Sequence, residues 1–374
     1  MPKSLTIPTE LLPLDGRFGS GPSKVSDAQL QALLAAQPLV LGTSHRQAPV
    51  KNLVGDVRTM LAEFFSLPDG YEVLLGNGGS TLFWDAAAFS LVESKAQHCA
   101  FGEFGAKFAK ATTAAPHLLD SSVLTADAGS VVVPQAEDGI DVYAWPHNET
   151  STGAMAPVTR PAGSDGALTV VDGTSAAGGA PLDVTQTDVY YFAPQKNFAS
   201  DGGLWFALVS PAAVARIEAI AASGRYIPES LSLALALENS RVNQTLNTPA
   251  VATLVLMRAQ LEWLLASGGM DFAAARTAQS SGHMYDWAER TAETEAFVTD
   301  TRYRSSVVST IDFADSIDSE QVRRVLRDNG IVDIDPYRKL GRNQIRVGTF
   351  SSVEPGDVAA LTACLDWVLE HMRT

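Results

Sequence analysis

Between about Tyr71 and Ser210, short apolar runs alternate with helix-like stretches, and no other feature limits the possible folds as strongly. Tyr71–Leu75 is strand-like and leads through Gly76–Gly79 into a long apolar helix pattern over Leu82–Val92. Further strand patterns fall at Val131–Val133, Val142–Trp145, Ala167–Val171, Val189–Phe192 and Leu204–Val209. Strands that alternate with helices connect by right-handed crossovers, so the expected fold is α/β. Its large domain is a mostly parallel, seven-stranded-type sheet with helices on both faces. Ligands of such sheets gather at the carboxyl ends of the strands. A site is therefore expected where Gly76, Asp172 and Lys196 stand.

The C-terminal third has a different rhythm. Val307–Phe313, Ile331–Ile334 and Gln344–Val347 read as strands, and Asp318–Asn329 as an amphipathic helix closed by Gly330. Asp357–Met372 reads as a last helix with Val358, Leu361, Leu365 and Val368 on one face. This pattern predicts a smaller α+β domain over 266–374, joined by the N-terminal segment 1–16, beside a large domain over 17–265. The helix-rich stretch from Ala212 to Gly269 would bridge them.

Composition excludes several classes of partner. A formal net charge of −15 over 374 residues argues against nucleic acid and anionic membrane surfaces. No run approaches the ~18 apolar residues of a membrane span. The first 25 residues have no apolar core for a signal peptide, so the cytoplasm is the expected compartment. The two cysteines, Cys99 and Cys364, offer no disulfide framework, and the six histidines no metal-ligand spacing.

The chemistry concentrates at the strand ends. Asp172 ends one strand, and Lys196 follows 24 positions later on the turn after another, within YYFAPQKNFASDGG. That pair suits pyridoxal 5′-phosphate, whose aldehyde needs an amine and whose ring nitrogen needs a carboxylate to stay protonated. A lone lysine in a loop is ordinarily a surface lysine, so its companions decide. Gly76-Asn-Gly-Gly-Ser-Thr81 joins a strand to a helix, where free N–H groups attract an anion such as the cofactor's phosphate. Phe104 in FGEFG could stack on a ring or simply fill the core. Thr150 in Asn148-Glu-Thr150 could reach a ring oxygen or merely shape a turn. Asn247-Thr248-Pro249 would ordinarily cap the next helix. Two basic clusters, His45-Arg46 and Arg338–Arg346, carry the guanidinium forks that fit carboxylate and phosphate, with Arg342 read as a solvated loop charge.

Read together, RFGSGPSKV (17–25), TSHRQAPVKNL (43–53), GNGGST (76–81), HNETSTG (147–153), APQKNFASDGGLW (193–205), NQTLNTPA (243–250) and YRKLGRNQIRVG (337–348) resemble the phosphoserine aminotransferase family. The resemblance follows that family's order over nearly the whole chain. It implies amino-group exchange between 3-phosphohydroxypyruvate and L-glutamate, in serine biosynthesis, by a homodimer with two sites at the subunit interface. It also suggests a side activity in pyridoxine biosynthesis. It puts the Schiff base at Lys196 and the pyridinium partner at Asp172. Gly79, Ser80 and Gln195 would seat the cofactor phosphate, with Asn247 and Thr248 reaching across from the other subunit. Thr150 would touch the phenolic oxygen and Phe104 the ring face, where the family commonly has Trp. Arg346 would hold the substrate α-carboxylate, and His45, Arg46 and Arg338 the substrate phosphate. Many family members have Gly-Arg where this chain has Gly79-Ser80, so a cation near the cofactor is missing. Another class-V aminotransferase, such as an alanine–glyoxylate type, and a non-catalytic phosphate- or nucleotide-binding protein remain the alternatives.

Overall fold

In a computed structural model of the chain, describing residues 5–372, the run Val189–Phe192 is a strand buried on both sides. Successive side chains of a strand point to opposite faces. Tyr190 and Phe192 therefore enter one core, and Val189 and Tyr191 the core behind the sheet. The next strand repeats the division, with Leu204, Phe206 and Leu208 on one side and Trp205, Ala207 and Val209 on the other. Truncating a buried aromatic such as Phe192, fully buried here, costs about 3–5 kcal/mol.

Among the described residues the strands are β1 (Glu72–Asn77), β2 (Ala96–Ala100), β3 (Ser122–Thr125), β4 (Val142–Pro146), the short pair β5 (Asn148–Glu149) and β6 (Ala154–Met155), β7 (Leu168–Asp172), β8 (Val189–Phe192), β9 (Leu204–Val209), β10 (Thr294–Ala296), β11 (Val308–Phe313) and β12 (Gln344–Gly348). The helices are α1 (Asp27–Ala36), α2 (Ala48–Phe64), α3 (Ser80–Ser90), α4 (Glu103–Ala114), α5 (Pro211–Ala222), α6 (Leu233–Arg241), α7 (Val251–Ser267), α8 (Gly269–Arg290), α9 (Ser319–Asp328) and α10 (Pro355–Met372).

The large sheet has seven strands in the order β1-β9-β8-β7-β4-β2-β3. β9 pairs antiparallel with both β1 and β8, and the other pairings are parallel. Helices α2 and α7 cover one face, with α1 packed on α7; α3, α4, α5 and α6 cover the other. A third core forms where β10-β11-β12 meets α8, α9 and α10, and Ile7 from the N-terminal segment and Phe18 just after it are buried in it.

Two expected strands do not form. Val131–Val133 lies in the irregular stretch 131–137, with Val131 and Val132 packed against the first core and no strand partner among the described residues. In Ile331–Ile334 the backbone turns left-handed at Asp333 (φ 65°), which breaks the extended run. Only a single bridge from Val332 to Arg17 remains. Strands β2, β3, β5, β6 and β10 were not anticipated. In β2, Gln97 and His98 interrupt the apolar pattern, yet both are buried and hydrogen-bonded, His98 Nε2 to Thr112 Oγ1 at 2.7 Å.

No helix among the described residues is long and apolar enough to cross a membrane.

Candidate active site

Three strand ends converge on one cavity of about 200 Å3. β1 runs into the Gly76–Gly79 turn and α3, β7 ends at Asp172, and β8 ends just before the turn that carries Lys196. Gly78 takes φ +114° and donates its N–H to the Gly203 carbonyl at 2.9 Å. An L side chain rarely adopts that conformation, so the turn requires glycine there. Gly79, Ser80, Phe104, Thr150, Asp172, Gln195 and Lys196 all line the cavity.

Lys196 is held from several directions. Its Nζ donates to the Ser20 carbonyl at 2.7 Å, and a Cβ on Gly21 would lie 1.8 Å from that nitrogen. The neighbouring Asn197 is fully buried, donating to the Ser175 carbonyl and accepting from the Ser351 N–H. Burial pushes the Lys196 amine down to about 8, the positive charge of Arg346 acts the same way, and Asp172 opposes both. An amine in that state is neutral in a useful fraction of molecules near neutral pH.

Asp172 is buried, and burial raises its carboxyl above the usual range while hydrogen bonds work against that rise. Oδ1 accepts from the Thr174 N–H at 2.8 Å. Oδ2 accepts from the Tyr191 hydroxyl at 3.0 Å and from Trp84 Nε1 at 3.4 Å. The α3 N-terminus opens on the same cavity. Its N-cap is Gly79, whose side-chain direction is empty, and its first residue, Ser80, shares a 2.5 Å hydrogen bond with Thr174 Oγ1.

Arg346, on β12, reaches toward this wall. Its Nη1 donates to the Thr150 carbonyl at 3.1 Å, its guanidinium lies 5.5 Å from the Tyr337 ring centroid, and its Nε is buried without a partner among the described residues. Burial lowers its pKa, and Tyr337, Asp335 and Glu149 partly offset that. The Tyr337 ring also lies 6.2 Å from Phe104. Phe104 itself is set by Glu149, a buried carboxylate that accepts the N–H groups of Phe104 and Gly105.

The other expected residues gather elsewhere. His45 Nδ1 and Thr248 Oγ1 are 3.1 Å apart, and Arg46 reaches Gln244 at 3.4 Å. Asn77 Nδ2 donates to the Thr248 carbonyl, while Asn247 lines an apolar groove with Gly76, Asn77 and Gly78. His45, Arg46, Asn247 and Thr248 thus lie across the β1–α3 turn from the cavity, on the same chain. Arg338 is exposed on the turn after Tyr337, and its neighbour Lys339 pairs with Glu103. Arg342 is ion-paired with Asp312 and lies over the Phe297 ring, so it is a structural charge.

Sequence reasoning missed Trp84, Asn148, Thr174 and Tyr191. Trp84 is four residues after Ser80, and that helical spacing could have revealed it. Tyr191 is the cross-strand partner of Asp172, a relation only the register discloses. Asn148 Oδ1 and Gln195 Oε1 are buried, without a partner among the described residues, at this same cavity. A buried amide oxygen left so is costly unless a ligand donates to it.

Residues 21–333 match the family model described as aminotransferase class-V. The chain belongs to that family. This aminotransferase is 59% identical over 374 residues to the phosphoserine aminotransferase of a Nocardioides species, with 100% of each chain covered. A Mycolicibacterium vanbaalenii protein, provisionally given the same name, is 60% identical over 372 residues, again with 100% of both covered. Among solved structures, the phosphoserine aminotransferase of Cytophaga hutchinsonii superposes with a TM-score of 0.87 at 22% identity, covering 94% of this chain and 98% of that one. An aspartate aminotransferase of subgroup IV from Thermus thermophilus reaches 0.82 at 20% identity, covering 96% and 99%. At such identities the likeness establishes the fold, which serves more than one substrate.

Proposed function

We propose that this aminotransferase moves the amino group of L-glutamate to 3-phosphohydroxypyruvate, giving O-phospho-L-serine and 2-oxoglutarate. Its cofactor is pyridoxal 5′-phosphate. The observation that carries the reading is the single cavity holding an amine of lowered pKa, a buried carboxylate and an open helix N-terminus. These are the three groups the cofactor's aldehyde, ring nitrogen and phosphate require. The whole-length similarity to chains named phosphoserine aminotransferase supports the substrate.

When bound, pyridoxal phosphate supplies an aldehyde for covalent attachment and a ring that accepts the electron pair left by loss of the α-proton. Lys196 Nζ would provide the attaching amine and, as a free amine, would take and return the substrate's α-proton. Asp172 keeps a negative charge at the ring nitrogen's position. The N–H groups opening α3, with Ser80 and Gln195, hold the phosphate. Thr150 and Phe104 fix the ring. Arg346 binds the carboxylate common to every amino-acid substrate, and its desolvated guanidinium makes that contact strong.

His45, Arg46 and Arg338 bind the phosphate that distinguishes the oxo-acid substrate. The proposed assembly is a homodimer in which Asn247, Thr248, His45 and Arg46 serve the partner's cavity. Two observations support this: the four cluster outside their own cavity, and Leu30, Leu34 and Leu39 of the α1 region are exposed.

Purified protein should form 2-oxoglutarate from glutamate only when 3-phosphohydroxypyruvate is present. Turnover with alanine and glyoxylate instead would replace this reading. The same assay with the phosphorylated hydroxy-oxo acid of pyridoxine synthesis tests the side activity. Mixing Arg46→Ala chains with Lys196→Ala chains should restore one working site per heterodimer; heterodimers without activity would return His45 and Arg46 to their own subunit.

A further inference from the structure

Behind Asp172 lies a chain of donors that the transamination scheme does not use. Trp84 Nε1 is 2.9 Å from the Tyr191 hydroxyl, which is 3.0 Å from Asp172 Oδ2. An indole N–H can only donate, so the tyrosine oxygen accepts from Trp84 and commits its one proton to Asp172. The direction of the chain is therefore fixed: Trp84 to Tyr191 to carboxylate. The other carboxylate oxygen already accepts the Thr174 N–H at 2.8 Å. Hydrogen bonds donated to a carboxylate stabilise its ionised form, so these donors oppose the rise that burial imposes on Asp172.

The donors are also rigid. Tyr191 is fully buried and stacks on Phe83 with centroids 4.3 Å apart and an interplanar angle of 23°. Phe108 meets its edge at 5.9 Å, and Asp172 and Tyr191 are register partners on adjacent strands. The ionisable groups around the carboxylate are Lys196 across the cavity, Tyr190 and Tyr191 on β8, His98 on β2 and His147 after β4. His147 donates its backbone N–H to the Asp172 carbonyl. Burial depresses both imidazoles, to about 3 and about 4, so both are neutral at ordinary pH and neither supplies a cation to the carboxylate.

We propose that Tyr191 and Trp84 are positioning residues that hold Asp172 ionised and correctly aimed at the cofactor's ring nitrogen. This rests on the reading of Asp172 as the partner of that nitrogen, and one experiment separates the two. Pyridoxal phosphate affinity is measured from the visible absorbance of the reconstituted protein as a function of pH, for wild type, Tyr191→Phe, Trp84→Phe and Asp172→Asn. Tyr191→Phe removes one oxygen and keeps the stacked ring. It should weaken cofactor affinity by roughly tenfold to a hundredfold, the range for one hydrogen bond to a charged group. It should also move the acid limb of the affinity upward in pH, because Asp172 then protonates more readily. Trp84→Phe should move both in the same direction by less. Because Trp84 Nε1 supports the Tyr191 hydroxyl at 2.9 Å and also lies 3.4 Å from Asp172 Oδ2, the double variant should be worse than Tyr191→Phe alone by less than the full effect of Trp84→Phe. If Asp172→Asn weakens affinity while Tyr191→Phe leaves affinity and acid limb within twofold of wild type, the inference fails and the reading of Asp172 stands. If Asp172→Asn itself leaves affinity unchanged, the reading fails and takes the inference with it.

Discussion

Replacing Arg346 should damage both halves of the reaction, because the carboxylate it is proposed to bind is carried by every amino-acid substrate. Its guanidinium is oriented by the Thr150 carbonyl at 3.1 Å and the Tyr337 ring at 5.5 Å, and its Nε is buried with no partner among the described residues. Removing one member of a charged, desolvated pair costs about 2–5 kcal/mol. At about 1.4 kcal/mol per decade, Arg346→Ala should lose roughly one and a half to three and a half decades of kcat/KM in each half-reaction. Arg346→Lys keeps the charge but loses the fork, so about one decade of loss is expected. The positive charge of Arg346 also lowers the pKa of Lys196. The alanine variant should therefore raise that pKa, and rates must be compared above and below pH 8. Single-turnover absorbance changes with glutamate, and separately with phosphoserine, give the two values. A loss confined to one half-reaction, or a change within threefold in both, would refute the assignment.

Covalent capture of the cofactor by apo-protein requires the neutral amine of Lys196. Its rate should rise about tenfold per pH unit below about 8 and level above it, and Lys196→Ala should abolish it; a rate already flat at pH 6 would contradict the lowered amine. Gly21→Ala would place a methyl 1.8 Å from the Lys196 nitrogen at a backbone φ of +132°. Capture should slow by about tenfold or more with circular dichroism unchanged, and an unaffected rate would mean the Ser20–Gly21 segment yields freely. His98 is pushed from 6.5 to about 3 by burial, so between those values the unfolded chain binds the extra proton. Stability should therefore fall as pH drops below 6.5, by roughly 2 kcal/mol at pH 5, and His98→Asn should flatten that slope in denaturant titrations.

Alternation of apolar runs was enough to read the α/β architecture, because buried strands β4, β7, β8 and β9 are largely apolar runs in the sequence. It failed where polarity and burial part company. β2 contains Gln97 and His98, and their hydrogen-bond partners Glu137 and Thr112 lie 40 and 14 residues away, out of reach of a local pattern. Val131–Val133 had the right residues and no strand to pair with, and Asp333 broke a run whose flanking Ile331 and Ile334 are buried as expected. The reversal of β9 against β1 and β8 has no local signal, since a strand's residues read alike in either direction.

The candidate site was legible for a reason that connects the acidic composition to binding. With a formal net charge of −15, most arginines have a carboxylate within reach, and Arg160, Arg241, Arg276, Arg323 and Arg342 are each in an ion pair. Arg46, Arg338 and Arg346, singled out from the sequence by their clustering, are in none among the described residues. At physiological salt, charges beyond about 8 Å are largely screened, so the overall negative charge does little to repel a small anion. What such an anion meets at contact range is the set of cations the chain has left unpaired. Lys196 lines the cavity, Arg346 donates to the Thr150 carbonyl in its wall, and Arg338 follows the Tyr337 ring that lies between Phe104 and Arg346. Arg46 lies beyond the β1–α3 turn, and in the proposed homodimer a second copy of the chain would bring its Arg46 to this cavity. A substrate with a carboxylate alone would need only Arg346. A substrate carrying a phosphate as well would give Arg46 and Arg338 a reason to stay unpaired in an otherwise acidic protein.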